Sequence, residues 1–518
     1  MRTPGQAQAY IEEHAFRTTN FPHSSPEYPN EEWIQSISTA KDVSQYLDLD
    51  EYSARQERDS LVTWILQGAK KLSLIAAYTG NPPPVPLLEQ FFKAGLTDAD
   101  LPLSKNLGLR DVDDFLGAQS LFCSQPLLLK EGSHGSVIDP ETPIPITVLD
   151  KHGFDGGTLP GAVVAVEIDQ QDFSFPSVPP RPGKHRFAMK IIESKGRRGP
   201  DEAKREEAFV VAMRENNVSH AHLTPCYTSF QHGESWYFIQ PLADGNLEHF
   251  MKKNFFGRAT PGRRLDLQWL CGQMRGLADA VRRLHNPSTT TIGWHHDIKP
   301  ENILVFGSAG GGGGPRFCFT DWGTAKIVEC KEGSEVCGSA KHGFLTYLPP
   351  ECAANVRTGT EPDIWSLGCT FLELLVWHAQ GYYVLGEKRG LNQKEKDILQ
   401  LLYEGKNPNV VIESEEVALP EDLHKLSMSF RSRRMLENNS LDDKDWFYDD
   451  KKHTLLKCVT DKLCELSMLE GMEEGWQLLL EIVAEMLRRE PERRSKAYQV
   501  SELLDLAEVG CSVDWDLD

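Results

Sequence analysis

No apolar run in this chain is long enough to cross a membrane. The eleven cysteines form no C-x-x-C pair, and Cys330 and Cys337 stand too far from other ligands to mark a zinc site. The start, Met1-Arg2-Thr3-Pro4-Gly5-Gln6, has no apolar core, so no secretory signal is expected. Positive charge is scarce: 55 Lys and Arg stand against 76 Asp and Glu, a formal net charge of −21 with no compact basic cluster. That balance argues against a phosphate-backbone partner and, weakly, for basic protein substrates. Reduced thiols in the cytoplasm or nucleus, no nucleic acid and no membrane are the resulting expectations, and nothing in the sequence sets an oligomeric state.

What the chain does have is an ordinary globular composition, 40% hydrophobic and 25% charged over 518 residues. That length allows several domains. Residues 1–54 are rich in Pro, Ser, Thr and Glu, with Pro22, Pro26 and Pro29 breaking helices, and read as a flexible lead-in ordered around Trp33-Ile34. Residues 55–120 read as a small helical segment. Leu61, Ile65, Leu72 and Ile75 share a helical face between Arg55 and Tyr78, ended by Asn81-Pro82-Pro83-Pro84. A second helix spans Leu87 to Lys93 and stops at Gly95, and a third covers Asp111 to Ala118.

Chemistry concentrates in two stretches, His295-His296-Asp297-Ile298-Lys299-Pro300-Glu301-Asn302 and Asp321-Trp322-Gly323. Together they resemble the active-site core of the eukaryotic protein kinase family. Phosphoryl transfer from ATP needs a carboxylate to orient a hydroxyl and oxygen ligands for Mg2+. Asp297 suits the first task, Asn302 and Asp321 the second, and Lys299 offers charge to the moving phosphate.

Other stretches carry the same resemblance. Gly132-Ser133-His134-Gly135-Ser136-Val137 is similar to the family's glycine loop, with Lys130 where the first glycine belongs. In that reading Gly132, Ser133, Gly135 and Val137 bind the nucleotide, backbone N–H groups facing the phosphates. Phe187-Ala188-Met189-Lys190 resembles the strand whose Ala leaves room for adenine and whose Lys reaches the phosphates. Lys190 needs an acidic partner. Glu206 is chosen, because Phe209, Val210 and Met213 follow it on a buried face, with Glu207 a close second. After the strand Trp236–Gln240, Ile239 would back the adenine pocket, Leu242 would offer backbone groups to the base, Asn246 would touch the ribose, and Leu304 joins the nucleotide-binding set.

The implied fold is α+β, a bilobal protein kinase: small β-rich lobe with one main helix at 121–243, large mainly helical lobe at 244–506, then an acidic tail at 507–518. Insertions are expected at about 138–184, which includes the strand Ala162–Val166, and at about 382–475. Leu267, Leu270, Met274, Leu277, Val281 and Leu284 mark the large-lobe helix that leads to the catalytic loop. Pro349-Pro350-Glu351 stands where the family closes its activation segment. Asp363-Ile364-Trp365-Ser366-Leu367-Gly368 starts a helix whose Asp would brace the catalytic loop, and Arg494 would pair with Glu351. The segment Leu96 to Pro102 resembles filamentous-fungal kinases.

Some positions depart from the pattern. His296 replaces the Arg that docks a phosphate, Trp322 replaces Phe, and Phe344 stands where a Thr is usual. Lys299 favours Ser/Thr over Tyr acceptors. The expected activity is an ATP- and Mg2+-dependent serine/threonine kinase acting on a protein. The alternative, to which Phe344 and Lys130 point, is a pseudokinase serving as a nucleotide-binding or scaffold protein.

Overall fold

The computed structural model describes residues 4–17, 28–48, 55–80, 84–104, 110, 112–123, 126–139, 142–149, 163–193, 199–257, 265–307, 314–329, 345–353, 359–385, 430–431, 434, 447–449, 454–470, 472 and 475–511. It divides into two units, residues 1–191 with 227–239, and residues 192–226 with 240–518.

The first unit holds two separate apolar cores. One is helical: α1 (Pro4–Ala15), the short α2 (Glu31–Ser36) and α3 (Ala40–Val43), α4 (Arg55–Gly68), α5 (Lys70–Thr79), α6 (Pro84–Lys93) and α7 (Asp113–Cys123). Helix α5 is central, because Leu72, Leu74, Ile75, Ala76 and Ala77 bury it nearly all round, and α1, α6 and α7 pack on it. Its N-terminal N–H groups are satisfied by a remote carboxylate: Lys71 and Leu72 donate to Asp98, each at 3.0 Å. The periodic stretch from Arg55 to Tyr78 is two helices, broken at Ala69. The lead-in expectation needs correction. Ile11, Ala15, Ile34, Ile37, Val43 and Leu47 are buried in the same core, so the described part of residues 1–54 is packed structure. Of the prolines that suggested otherwise, Pro29 lies in the strand pair β1 (Phe16–Arg17) and β2 (Tyr28–Pro29), and Pro22 and Pro26 lie outside the described residues.

The second core of this unit lies on a six-stranded sheet. Its strands are β4 (Ser136–Ile138), β5 (Thr147–Val148), β6 (Val163–Asp169), β8 (Lys184–Glu193), β9 (Thr228–His232) and β10 (Ser235–Pro241), in spatial order β4-β9-β10-β8-β6-β5. A small parallel pair, β3 (Leu129–Lys130) with β7 (Phe173–Ser174), stands apart. Strand β6 runs antiparallel to β8 and places Ala165 opposite Ala188 and Val163 opposite Lys190. The stretch expected as an insertion at 138–184 therefore supplies two strands of the main sheet.

The second unit is mainly helical. It contains α8 (Gly199–Glu215), the short strand β11 (Gly245–Asn246), α9 (Leu247–Lys253), α10 (Leu267–His285), the hairpin of β13 (Ile303–Phe306) and β14 (Arg316–Phe319), and the pair β12 (Thr291–Trp294) with β15 (Lys326–Glu329). Then follow α11 (Pro350–Ala353), α12 (Glu361–Gln380), α13 (Tyr382–Leu385), the strands β16 (Tyr448–Asp449) and β17 (Thr454–Leu455), α14 (Lys457–Ser467), α15 (Gly475–Met486) and α16 (Ala497–Cys511). Helix α10 buries all six periodic residues and packs along α16, which extends through residues assigned to the tail. Helix α12 is buried along almost its whole length. Gly368 permits its close approach to α15, since a Cβ there would come 2.9 Å from that of Met486. The acidic stretch 413–422 and Phe344 lie outside the described residues.

Candidate active site

In the second unit the catalytic loop is held by its backbone. Asp363, fully buried near the start of α12, accepts the N–H groups of His295 at 2.8 Å and His296 at 2.7 Å, and the ring N–H of His285 at 3.0 Å. Burial alone would push this acid up. The hydrogen bond from His285 and the fields of the neighbouring imidazoles outweigh it and hold Asp363 at about 2. These hydrogen bonds brace His296 at φ 62°, a left-handed conformation that costs a non-glycine residue on the order of 1–3 kcal/mol. The His296 ring is fixed as well, stacked on Trp294 and bonded through Nε2 to the carbonyl of Gly359 at 3.1 Å. Burial lowers its pKa, so the imidazole is neutral.

One residue on, the carboxylate of Asp297 receives two donors, Lys299 Nζ at 2.8 Å and Asn302 Nδ2 at 2.8 Å. The Asn302 amide also donates to the backbone carbonyl of Asp297 at 2.9 Å. Both amide hydrogens of Asn302 thus face Asp297, and its carbonyl oxygen is the atom available to a cation. Asp321 has φ 66°, a second strained residue at the following turn. Trp322 beside it is buried between the rings of Phe209 on α8, 5.1 Å away and stacked, and of His295, at 5.2 Å. Glu206 lies one turn before Phe209 on the same helix and is fully buried, whereas Glu207 is half-buried. The ring stack joining α8, the catalytic loop and the Asp321 turn was not read from the sequence. The substitution of Trp for Phe was its one visible sign.

Among the described residues no group of three His, Cys, Asp or Glu side chains could hold a metal ion. A cation that relies on one carboxylate and one amide oxygen, with phosphates and water completing its shell, is the type this donor set suits, and Mg2+ is such a cation.

The remaining candidates of this unit cluster around a strand pair. Asn246 and Leu304 face each other across β11 and β13. The Asn246 side-chain oxygen, expected at a ribose, accepts the His249 N–H at 2.8 Å and caps α9. Leu242 and Leu304 are half-buried.

In the first unit, alternation on β8 separates its residues. Phe187 and Met189 join the apolar core of the sheet, while Ala188 and Lys190, both buried, project from the other face.

The glycine loop needs correction. Gly132, Ser133, Gly135 and Val137 lead into β4, which is at the opposite edge of the sheet from β5 and β6 and is separated from β8 by β9 and β10. Strand β4 runs parallel to β9, with Ser136 opposite Phe230. Three of the turn's donors are also spent on the protein itself. Gly132 N–H goes to the Tyr227 carbonyl at 2.7 Å, Ser133 N–H to Lys130 at 3.1 Å and Gly135 N–H to Ser229 at 3.1 Å. The Ser133 carbonyl in turn accepts from Thr228 and Ser229. Amides bonded to carbonyls cannot cradle a phosphate. Spacing alone could not distinguish this turn from a phosphate loop.

Comparison with known proteins shows the family of the chain. The family described as "Protein kinase domain" matches residues 181–503. The chain is similar to a probable serine/threonine-protein kinase, fhkD, of Dictyostelium discoideum, 29% identical over 53% of this chain and 34% of the relative. It is also similar to serine/threonine-protein kinase H1 of Homo sapiens, 27% identical over 35% of this chain and 38% of the relative. A third is the leucine-rich repeat receptor protein kinase MSL1 of Oryza sativa, 30% identical over 38% of this chain and 13% of the relative. The matched regions thus span between 13% and 38% of the length of these relatives.

Proposed function

Since the chain belongs to the protein kinase domain family, and has its bilobal α+β fold, we propose that it transfers the γ-phosphate of ATP to a serine or threonine hydroxyl of a protein substrate. The observation that supports this best is the carboxylate of Asp297, held between Lys299 and Asn302. So held, it can orient an incoming hydroxyl and accept its proton, while Lys299 lies close enough to steady the transferring phosphate. Lys190 is assigned to the α- and β-phosphates with Glu206 as its partner. Ala188, Leu242, Asn246 and Leu304 are assigned to the nucleoside. Asn302 and Asp321 would hold Mg2+, which supplies positive charge to the phosphate oxygens. The names of two of the relatives support Ser/Thr acceptors.

Eight cysteines of the described residues, among them Cys271, Cys318, Cys369 and Cys458, are free thiols, and no described helix is long and apolar enough to cross a membrane. An intracellular setting, cytoplasm or nucleus, is proposed on the first ground.

The second reading, nucleotide binding without turnover, is favoured by the loss of Gly132–Val137 as a phosphate cradle. One experiment separates the two. ADP release is measured with ATP, Mg2+ and a generic basic protein for wild type, Asp297→Asn and Asp321→Asn. A wild-type rate that falls at least about 10²-fold in Asp297→Asn supports the kinase. Nucleotide binding with no turnover in any of the three selects the second reading.

A further inference from the structure

A short piece of chain between α13 and β16 enters the second unit through two arginines. Arg431 forks onto two carboxylates at once. Its Nη1 and Nη2 lie 2.9 Å from the two oxygens of Glu248, and its Nε and Nη2 lie 3.1 and 2.5 Å from those of Glu373. Arg434 is fully buried, 2.7 Å from Glu373, with its guanidinium against the rings of Phe430 and Phe447. Tyr382 donates to Glu248 and Tyr347 to Glu373. Burial would raise Glu373, but the two guanidinium groups hold it at about 2.

The two carboxylates belong to different supports of the catalytic loop. Glu248 is on α9, which packs on the turn Pro300–Asn302. Glu373 is on α12, the helix whose Asp363 holds the N–H groups of His295 and His296. Glu373 also receives Tyr347, in the segment just before Pro349-Pro350-Glu351. One planar cation therefore bridges two helices that grip the catalytic loop at its two ends. The guanidinium makes two contacts to each carboxylate in one fixed plane, which the three donors of an ammonium cannot match.

We propose that Arg431 is a positioning residue for phosphoryl transfer: it keeps α9 and α12 in register, and through them sets Asn302 against Asp297. The stretch that carries it thereby belongs to the catalytic apparatus and is not a tolerated insertion. This rests on the kinase reading above.

The test uses the full chain with ATP and a generic basic protein. Arg431→Lys keeps the charge and loses the fork. The pair Arg431→Met with Glu248→Gln removes charge from both sides, which spares the fold an unpaired buried ion. In the pair variant kcat falls about tenfold or more, while nucleotide affinity stays within about twofold and the melting temperature is nearly kept. Arg431→Lys recovers part of kcat, and the His295 and His296 amides exchange hydrogen faster in the pair variant than in wild type. An unchanged or raised kcat in the pair variant, or a loss of kcat that only follows the melting temperature, overturns the proposal. A wild type that binds nucleotide and shows no turnover rejects the kinase reading itself, and this inference with it.

Discussion

Arg494 closes a two-point ion pair on Glu351, its nitrogens 2.7 and 3.2 Å from the two carboxylate oxygens, 143 positions away in sequence. The same guanidinium donates to the carbonyls of Glu361, Arg488 and Arg489, so it ties the end of the activation segment to α12 and to the approach of α16. Both partners are buried. Removing one side strands the other: Arg494→Met is expected to cost about 3–5 kcal/mol. The double variant Arg494→Met with Glu351→Leu is expected to recover part of that loss. Urea unfolding of the two single variants and the double completes the cycle. A double variant less stable than either single one contradicts the pairing as drawn.

The edge position of the Gly132–Val137 turn gives a prediction opposite to the one its sequence suggests. Val137 is 74% exposed, and the N–H groups around it are bonded to Lys130, Tyr227 and Ser229. Val137→Asp is expected to leave ATP affinity within about twofold of wild type, where a residue packed on the nucleotide would lose far more. Titration with a fluorescent ATP analogue decides it. A tenfold loss would restore the turn to the nucleotide site.

The legible parts of this molecule are those whose chemistry is local. The hexad of α10, the loop from His295 to Asn302 and the brace at Asp363 lie in short stretches in which residue type and spacing specify both conformation and task. The Glu351–Arg494 pair was also readable, because each end sits in its own short motif. Strand pairing was not. Whether β4 or β6 neighbours β8 depends on long-range register, and both candidate stretches carry glycine and valine. The packing of residues 4–17 and 28–48 into a helical core was hidden by a composition rich in proline, of which Pro29 turns out to sit in a strand. Nothing near Arg431 or Arg434 signals their partners: Glu248 and Glu373 lie 183 and 58 positions from Arg431, and although Glu373 interrupts an apolar run, the sequence does not say which cation meets it.

A pH dependence follows from His222. Its Nδ1 donates to the Phe317 carbonyl at 2.6 Å, and its ring fills the space beside Gly276. Burial lowers its pKa to about 4 from the usual 6.5. A base depressed in the folded state resists protonation there and accepts it freely when unfolded. Stability from this group is therefore complete above about pH 6.5 and is lost as pH falls toward 4. The melting temperature is expected to drop across that window. The drop should be shallower in His222→Gln, which cannot take up a proton. Superimposable curves for the two proteins would assign the acid sensitivity elsewhere.

His296 leads to the last prediction. Where the family's Arg would carry a free guanidinium, this chain has a neutral ring already committed to the Gly359 carbonyl and the face of Trp294. Such a ring has neither the charge nor the donors to hold a phosphate. Meanwhile the loop conformation that a docked phosphate could enforce is imposed by Asp363, which binds the His295 and His296 amides directly. Turnover should thus need no phosphate on the activation segment. A sample stripped by a broad phosphatase, its mass confirming complete removal, is expected to keep its rate within about twofold, corresponding to less than about 0.5 kcal/mol in the barrier. Asp363→Asn, which keeps the shape and removes the charge, should lower the rate by far more at the same phosphorylation state. If phosphatase treatment abolishes turnover and ATP incubation restores it, the loop depends on a modification that His296 does not read.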